Sequence, residues 1–548
     1  TGSNTIAIGY RAGQYITTGD YNIAIGTDAM TGIGSDYTVT GSNNICMGFT
    51  SGWSLSTGGN NIAIGHQALK ANTTGGSNTS IGYQSMFDNT TGGSNTALGR
   101  SALENNTTAT GNVAIGMEAL KANTTGANNA SFGYGASMLN TTGAKNTSVG
   151  MEASQFNTTS SDNTSLGYQA LWKNTATKNT SVGSMALRLN TTGTRNVAVG
   201  AYSLDANTTG VANTATGYHS LGTNTTADAN SAFGDYSLYS NTTGTSNNAF
   251  GESALRTNTT GTANVAVGRD AMYYNTTGAN NVAFGSYSLV YNTTGAYNTA
   301  LGRSALYANT TATYNTAVGY VALLANTTGA SNTAIGGLAL DTNTTGNYNT
   351  AIGMESLASN TTASGNTAVG EVALTANTTG TENVAVGKGA LDANTTGGSN
   401  VALGQGALGA NTTAYSNIAV GVSALETNTT GASNVAVGRD SLKVNTTGLY
   451  NVAVGRDSLK ANTTASNNTA VGYQPLLANT TGHSNVAVGN AALATNVTGE
   501  QNTAIGYDAL ATTTVSALVA VGKDALKLNT TGAANTGIGY KALKANTT

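Results

Sequence analysis

A short alternation of polar and apolar residues, N-x-A-x-G, recurs along nearly the whole chain. Its Gly falls at Gly65, Gly82 and Gly99 and continues from there at a step of 17 residues. A direct count gives 32 such glycines between Gly9 and Gly539. Three steps differ from 17: the one from Gly26 to Gly48 is 22, and those from Gly167 to Gly183 and from Gly506 to Gly522 are 16. An internal repeat of this length is typical of a solenoid.

Written from its Asn, the consensus is N-[TV]-A-[VIL]-G-x-x-[AS]-L-x-x-N-T-T-[GA]-x-x, whose places are positions 1 to 17 of the turn. The β-branched run at positions 2 to 4, bounded by Asn and Gly, predicts a strand. The run around [AS]-L-x-x predicts a weaker strand or an extended arc. N-T-T-G predicts a turn, because Asn tolerates left-handed φ and Thr hydroxyls bond nearby backbone.

A 17-residue unit interrupted by two Gly- and Asn-rich segments is too short for the helix pair of a helical solenoid. Each turn would instead contact mainly the turns above and below it. The sequence therefore predicts an all-β β-solenoid, of the β-roll or β-helix type, with about 32 coils. We expect one continuous repeat array over residues 1–548, with irregular coils over 1–60 and regular coils over 61–548.

The fixed residues of the turn predict its interior. Stacked Asn amides at position 1 can hydrogen-bond from turn to turn, so we expect a structural ladder there. The small residue at position 3 and the Leu at position 9 predict a core stripe; Cys46 occupies position 3 and is expected to be a buried small residue. Representative members are Asn315, Asn332, Asn349 and Asn366 for the Asn ladder, and Ala317, Ala334, Leu323 and Leu340 for the core.

The predicted strand is apolar on both faces. Side chains alternate along a strand, so in Val435-Ala436-Val437 the Ala faces one way and both Val residues face the other. Charges avoid these places and gather after the Gly, as in Arg439-Asp440. A strand covered on both faces predicts that one face lines the coil and the other meets another chain. We therefore expect a homo-oligomer, with a trimer around the apolar face.

Composition narrows the functional classes. Gly accounts for 72 residues and Pro for 1, and the chain is 39% hydrophobic and only 8% charged, so it can bury surface and is not typical of a disordered chain. A net charge of −3 without a basic cluster argues against a nucleic-acid partner. The chain contains no run of about 18 apolar residues, so the sequence does not predict insertion into a membrane. A single Cys excludes an internal disulfide framework, and the Asn-, Thr- and Gly-rich, charge-poor composition favours an extracellular setting.

The repeat resembles a known type of sequence. The block at Asn61-Ile62-Ala63-Ile64-Gly65, and its copy at Asn112-Val113-Ala114-Ile115-Gly116, is similar to the head repeat of trimeric autotransporter adhesins (YadA-like repeats). It is also similar to the N-T-T-G repeats of phage or bacterial tail-fibre proteins. The resemblance implies a trimeric, fibrous, extracellular protein used for attachment. The unit here is longer than the adhesin head repeat, and the chain shows no recognisable coiled coil, anchor or terminal chaperone domain.

The N-T-T triplet is also an acceptor signature for N-linked sugar. Two interpretations stand: a structural turn with an Asn and Thr ladder, or a sugar-coated arc. The candidate glycosylation residues are Asn326, Asn343, Asn360, Asn377, Thr327 and Thr328.

Other functions find less support in the sequence. Ice binding requires two rows of Thr spaced T-x-T on one flat face. The paired threonines here are adjacent in sequence, so their side chains point in different directions. Tyrosines such as Tyr320 after the Gly could grip sugars or cover neighbouring turns. His66, His219 and His483 lie far apart and predict no metal cluster. We expect no cofactor and no enzymatic activity, because no nucleophile or ligand set stands apart from the repeat.

The first turns are the least regular. The long step after Gly26 contains Tyr37, Phe49 and Trp53 follow, and the Leu stripe is missing. This predicts either a tolerated insertion or an altered end coil with a contact surface.

The leading functional hypothesis is an extracellular structural fibre or filament forming a rigid surface rod. The alternative is the shaft of a phage tail fibre or a cell-surface trimeric adhesin, and a glycan-presenting coat is compatible with either. The expected partner is the chain itself, as a homotrimer or as a head-to-tail or lateral filament. Covalent glycans or host-surface glycans are further partners, and the expected location is extracellular, on a cell or virion surface.

Overall fold

Each turn contributes one three-residue β-strand, formed by positions 2 to 4 of the repeat. The computed structural model describes residues 2–33 and 38–548, and no helix occurs within them. The chain divides into two compact units, Thr1–Thr277 and Gly278–Thr548. Both units are parallel β-solenoids, so the predicted all-β solenoid with a 17-residue repeat and about 32 turns is confirmed. Its division into irregular and regular coils, and its oligomeric state, stay predictions.

In the first unit, strands β1 to β16 pair in parallel, each with the next. They are Ile6–Ile8, Ile23–Ile25, Ile45–Met47, Ile62–Ile64, Thr79–Ile81, Thr96–Leu98, Val113–Ile115, Ala130–Phe132, Thr147–Val149, Thr164–Leu166, Thr180–Val182, Val197–Val199, Thr214–Thr216, Ser231–Phe233, Asn248–Phe250 and Val265–Val267.

In the second unit, strands β17 to β32 pair in the same way. They are Val282–Phe284, Thr299–Leu301, Thr316–Val318, Thr333–Ile335, Thr350–Ile352, Thr367–Val369, Val384–Val386, Val401–Leu403, Ile418–Val420, Val435–Val437, Val452–Val454, Thr469–Val471, Val486–Val488, Thr503–Ile505, Val519–Val521 and Thr536–Ile538.

Equivalent residues face each other across every strand pair. In β19 and β20, for example, Ala317 pairs with Ala334. The residue at position 3 is buried in every described strand except β1, and its neighbours at positions 2 and 4 are half-buried or exposed. The side chains therefore alternate between the inside of the coil and its outer surface, as the sequence pattern predicts.

The run after the Gly does not form the predicted second strand. It is a series of turns in which positions 7 and 9 adopt left-handed φ, such as 51° at both Val321 and Leu323. Position 17 does the same, with φ 59° at Ser331. The Asn of N-T-T-G tolerates left-handed φ, but Asn326 does not adopt it. Alternating left-handed residues bend the chain sharply enough to close a coil within 17 residues.

The interior of each coil is narrow and filled by three side chains. Ala317, Ala322 and Leu323, at positions 3, 8 and 9, are all fully buried. Ala334 and Leu340 occupy the same places one turn later and are equally buried. Stacking identical side chains turn upon turn keeps the core cross-section constant along each unit, which is how a solenoid buries a continuous core.

The Gly at position 5 is required by a close approach between turns. Gly319 has φ 139°, and a Cβ added there would lie 2.5 Å from the carbonyl oxygen of Gly336 in the next turn. Only Gly combines this φ with so short a distance to neighbouring backbone.

The third turn fills its core differently. Gly52 replaces the Leu of position 9, and Leu55, which occupies the place of the position-12 Asn, is fully buried instead. A Cβ on Gly52 would lie 2.8 Å from Leu55 Cδ1, so the two substitutions depend on each other. The missing Leu stripe is therefore compensated locally. Tyr37, in the expanded step before this turn, lies outside the described residues.

Replacing Gly319 with Ala should destabilise the second unit, whereas the neighbouring Gly337→Ala should not. The first change introduces a Cβ against Gly336 backbone at unfavourable φ, which costs about 1–3 kcal/mol or more. The second meets no atom within 4 Å, so we expect a change within about 0.5 kcal/mol. Urea unfolding of the two variants measures the difference, and equal midpoints would contradict the close-approach argument.

Candidate functional site

Two columns of buried amides run through the coils, and the first is formed by the Asn at position 1. The backbone N–H of Asn332 donates to Oδ1 of Asn315 at 2.9 Å, and its Nδ2 donates to the carbonyl of Gly346 at 2.8 Å. Asn349 donates in turn to Asn332 Oδ1 at 3.0 Å. Asn366 repeats the arrangement by donating to Asn349 Oδ1 at 3.0 Å. Each amide therefore joins its own strand end to the adjacent turn and to the opposite arc.

The second column is formed by the Asn of N-T-T. Nδ2 of Asn326 donates both to Asn309 Oδ1 at 3.0 Å and to the carbonyl of Gly329 at 2.9 Å. Asn343 donates to Asn326 Oδ1 at 2.9 Å, and the chain of amides continues through Asn360 and Asn377. A side-chain amide has two N–H donors, and both are engaged here.

This geometry bears directly on the proposed sugar sites. Asn326, Asn343, Asn360 and Asn377 are 0% exposed, and the nitrogen that would carry an N-linked glycan is the atom that holds the column together. A glycan on that nitrogen would remove one donor and would need space that the folded coil does not have. Of the two interpretations of N-T-T, the geometry supports the structural ladder for the four asparagines.

The two threonines differ from each other. Thr327, at position 13, donates its hydroxyl to the carbonyl of Thr344 in the next turn at 3.0 Å. The predicted Thr-to-backbone bond thus forms between turns rather than locally. Thr328, at position 14, is exposed. The candidate residues of N-T-T therefore separate into a buried Asn, a half-buried bonded Thr and an exposed Thr.

The outer face of the strands is an apolar row. Position 4 is 54% exposed at Phe284, 42% at Leu301, 39% at Ile335 and 36% at Ile352. No strand in the described part of the chain contains Lys, Arg, Asp or Glu. The T-x-T spacing associated with ice binding occurs on this face in one described strand, Thr214–Thr216. The face is therefore uncharged and mainly aliphatic.

Charged side chains lie on the arc after the Gly, where they pair between turns. Nζ of Lys443 lies 3.1 Å from Asp440 and 3.2 Å from Glu426 of the preceding turn. Hydrogen bonds to Asp440 and then to Glu426 raise the pKa of Lys443 above its ordinary value. Asp440 is buried while Lys443 and Glu426 are partly exposed, so the charges of this group pair at the edge of the solvent-facing arc.

Aromatic rings on the same arc stack on each other. Tyr202 and His219 are parallel with centroids 4.8 Å apart, and His219 and Tyr236 follow at 5.5 Å. The guanidinium of Arg256 lies 4.7 Å from the centre of Tyr236. The faces of these rings are occupied by neighbouring turns, which favours the covering role for this group over a sugar-gripping one.

The histidines remain separate in the structure. His66 stacks between Phe49 and Tyr83 at 5.2 and 5.1 Å, and Nε2 of His483 lies 2.8 Å from a carboxylate oxygen of Glu500. Across residues 2–33 and 38–548, no three His, Cys, Asp or Glu side chains are grouped so as to hold a metal ion. Within the same residues, no helix has the length and apolarity needed to span a bilayer.

Known proteins offer no assignment. No family model matches the chain, and no curated protein matches its sequence.

Replacing Asn332 with Ala should break one rung of the first amide column. Asn349 N–H and the Gly346 carbonyl would lose their buried partners, at a cost of about 1–3 kcal/mol for each. The exposed Asn490→Ala is the matched control, with an expected change within about 0.5 kcal/mol. Chemical unfolding compares the two, and hydrogen exchange should show the loss concentrated at the turns next to Asn332. A uniform small effect would contradict the ladder.

Cys46 should resist alkylation in the folded chain. It is fully buried, and burial raises the pKa of its thiol, so the reactive thiolate is scarce at neutral pH. A maleimide or iodoacetamide should label the guanidinium-unfolded chain readily and the native chain at least ten-fold more slowly. Cys46→Ala, which restores the usual residue of position 3, should fold normally. Rapid native labelling would show that the third turn opens.

Proposed function

We propose that the chain is the shaft of an extracellular homo-oligomeric fibre whose copies associate through the outer face of the strands. The observation that carries this proposal is the row of apolar side chains at position 4. An ordinary soluble surface rarely presents a contiguous apolar patch of this extent. Here an apolar residue recurs at position 4 in every regular turn except the one with Thr216, and no described strand contains a charge.

The periodicity of the row favours a second copy as the occupant. Its side chains repeat once per turn, at the inter-strand spacing of about 4.8 Å. A partner that covers such a row along its length must present side chains at the same spacing, and another solenoid of the same repeat does so. Self-association through an uncharged strip also avoids the desolvation of buried charges.

The construction of the coil supports a structural role rather than a catalytic one. The constant residues lie inside, in the amide columns and the Ala and Leu core, and the charged arc varies from turn to turn. Three copies and an attachment role are what the resemblance to adhesin and tail-fibre repeats implies, and both belong to this proposal. A surface rod assembled from such turns would hold another part of its assembly away from a cell or virion surface.

Adding charge to the outer strand face should prevent association. The double variant Ile335→Lys with Ile352→Lys places two cations in the apolar row, whereas Met354→Lys adds a cation at a 51% exposed side chain on the charged arc. Light scattering of the intact protein should give a multiple of the chain mass, with three copies expected. The double variant should shift it toward the single-chain mass, and Met354→Lys should not. A monomeric wild-type particle would overturn the proposal.

A further inference from the structure

The threonine at position 14 is constant although its hydroxyl is unbonded in nearly every turn. From Gly65 onward, every turn that has this position carries Thr there, and each of these threonines is exposed. Among the described residues, only Thr531 uses this hydroxyl in a hydrogen bond within the protein, to the carbonyl of Thr547 at 3.2 Å. Thr328 and its equivalents in the other turns therefore present free hydroxyls to solvent.

Other exposed positions behave differently. Position 17 is exposed at Tyr348, Gly365, Glu382 and Ser399, four different residues in four successive turns. Exposed residues that no contact constrains have thus diverged between turns, so shared ancestry of the repeats does not explain an unvarying Thr. Even position 13, whose hydroxyl does bond the next turn, is replaced by Val497 in one turn that keeps Thr498.

The two 16-residue turns show that the fold does not need position 14. Nδ2 of Asn163 reaches the carbonyl of Ala176, 13 residues later, at 3.0 Å, and Asn502 reaches Val515 in the same way at 2.9 Å. In regular turns the same bond spans 14 residues, as from Asn332 to Gly346. The residue missing between positions 12 and 15 is therefore the one at position 14, and the first amide column closes without it.

We propose that the threonines of position 14 are sites of O-linked glycosylation. A side chain that is constant, exposed and unbonded, at a position that the two short turns omit, is maintained for its own chemistry, and the chemistry of Thr is its hydroxyl. Oγ1 would attack the anomeric carbon of a nucleotide-activated sugar held by a glycosyltransferase. The Oγ1–carbon bond forms, the bond from that carbon to the phosphate breaks, the nucleoside diphosphate leaves, and the hydroxyl proton passes to a base of the transferase.

Spacing favours a sugar over a phosphate. Hydroxyls of adjacent turns lie about 4.8 Å apart. Phosphates there would bring charges of about −1.5 to −2 each to that distance and repel one another. Uncharged sugars at the same spacing can instead hydrogen-bond to each other. The resulting coat would follow the N-T-T arc and leave the apolar row at position 4 free.

This inference deepens the proposed fibre function, because it assigns a sugar coat to one arc of the same shaft. The test is the mass of the protein isolated from its natural source, with electron-transfer fragmentation of its peptides. We expect glycosyl increments on position-14 threonines, Thr328 among them, and none on Thr327 or Asn326. An intact mass equal to that of the bare sequence, or increments confined to Thr327 or Asn326, would overturn the inference.

Matched variants made in the same source separate modification from folding. Thr328→Val should remove the increment of its own turn and leave the unfolding midpoint unchanged, whereas Thr327→Val should keep the increment on Thr328. If Thr328→Val destabilises the unmodified, recombinant chain as much as Thr327→Val does, position 14 has a structural role and the inference fails. Light scattering of the same samples measures association independently of glycosylation. An unglycosylated but oligomeric chain would therefore refute the inferred O-glycosylation and leave the proposed fibre function standing.

Discussion

The buried amide is the interaction on which the rest of this structure depends. A coil closed by 17 residues encloses too little volume for a large apolar core, so polar groups of its own backbone inevitably face inward. Each of these groups needs a partner, because an unpaired buried carbonyl or N–H costs about 1–3 kcal/mol. The two Asn columns supply partners at fixed heights, with Asn332 serving the strand end and Asn326 serving the opposite arc. The Ala and Leu side chains fill only what remains between them.

This requirement explains why the repeat is so strict in some places and so loose in others. An Asn that bonds the turns on either side must keep its height and its direction, so positions 1 and 12 scarcely vary. Position 5 is held by the close approach of Gly319 to Gly336. Side chains that are mainly exposed to solvent, such as those of position 17, change from turn to turn. Positions that are constant along the chain are therefore mostly those whose side chains contact or bond the adjacent turns. Position 14 is the exception, because its side chain is constant although its hydroxyl is unbonded in nearly every turn.

Much of this architecture could be predicted from the sequence. The period, the strand at positions 2 to 4 and the inward direction of Ala317 follow from the spacing of Gly and the β-branched residues alone. The conformation of the remaining arc did not follow, because nothing in the composition of Val321 or Leu323 indicates left-handed φ. The sequence also did not predict that Leu55 fills the space left by Gly52, since this compensation depends on a contact across the coil. For the N-T-T triplet the sequence left two interpretations, and it could not show that Asn326 is buried within a column of amides, which supports the structural ladder for the asparagines.

The short turns carry a consequence for how such a chain changes length. The turn that follows Gly167 loses a residue from its arc, yet Nδ2 of Asn163 and Nδ2 of Asn174 both still donate to the carbonyl of Ala176. A deletion elsewhere would move the amides out of phase with those of the adjacent turns. Loss of one residue is therefore tolerated at this place in the arc, and gain or loss of whole turns keeps the amides in phase. Recombination between the repeats of such a chain can therefore add or remove whole turns. The length of the protein can then change by inheritance while the cross-section of the coil stays the same.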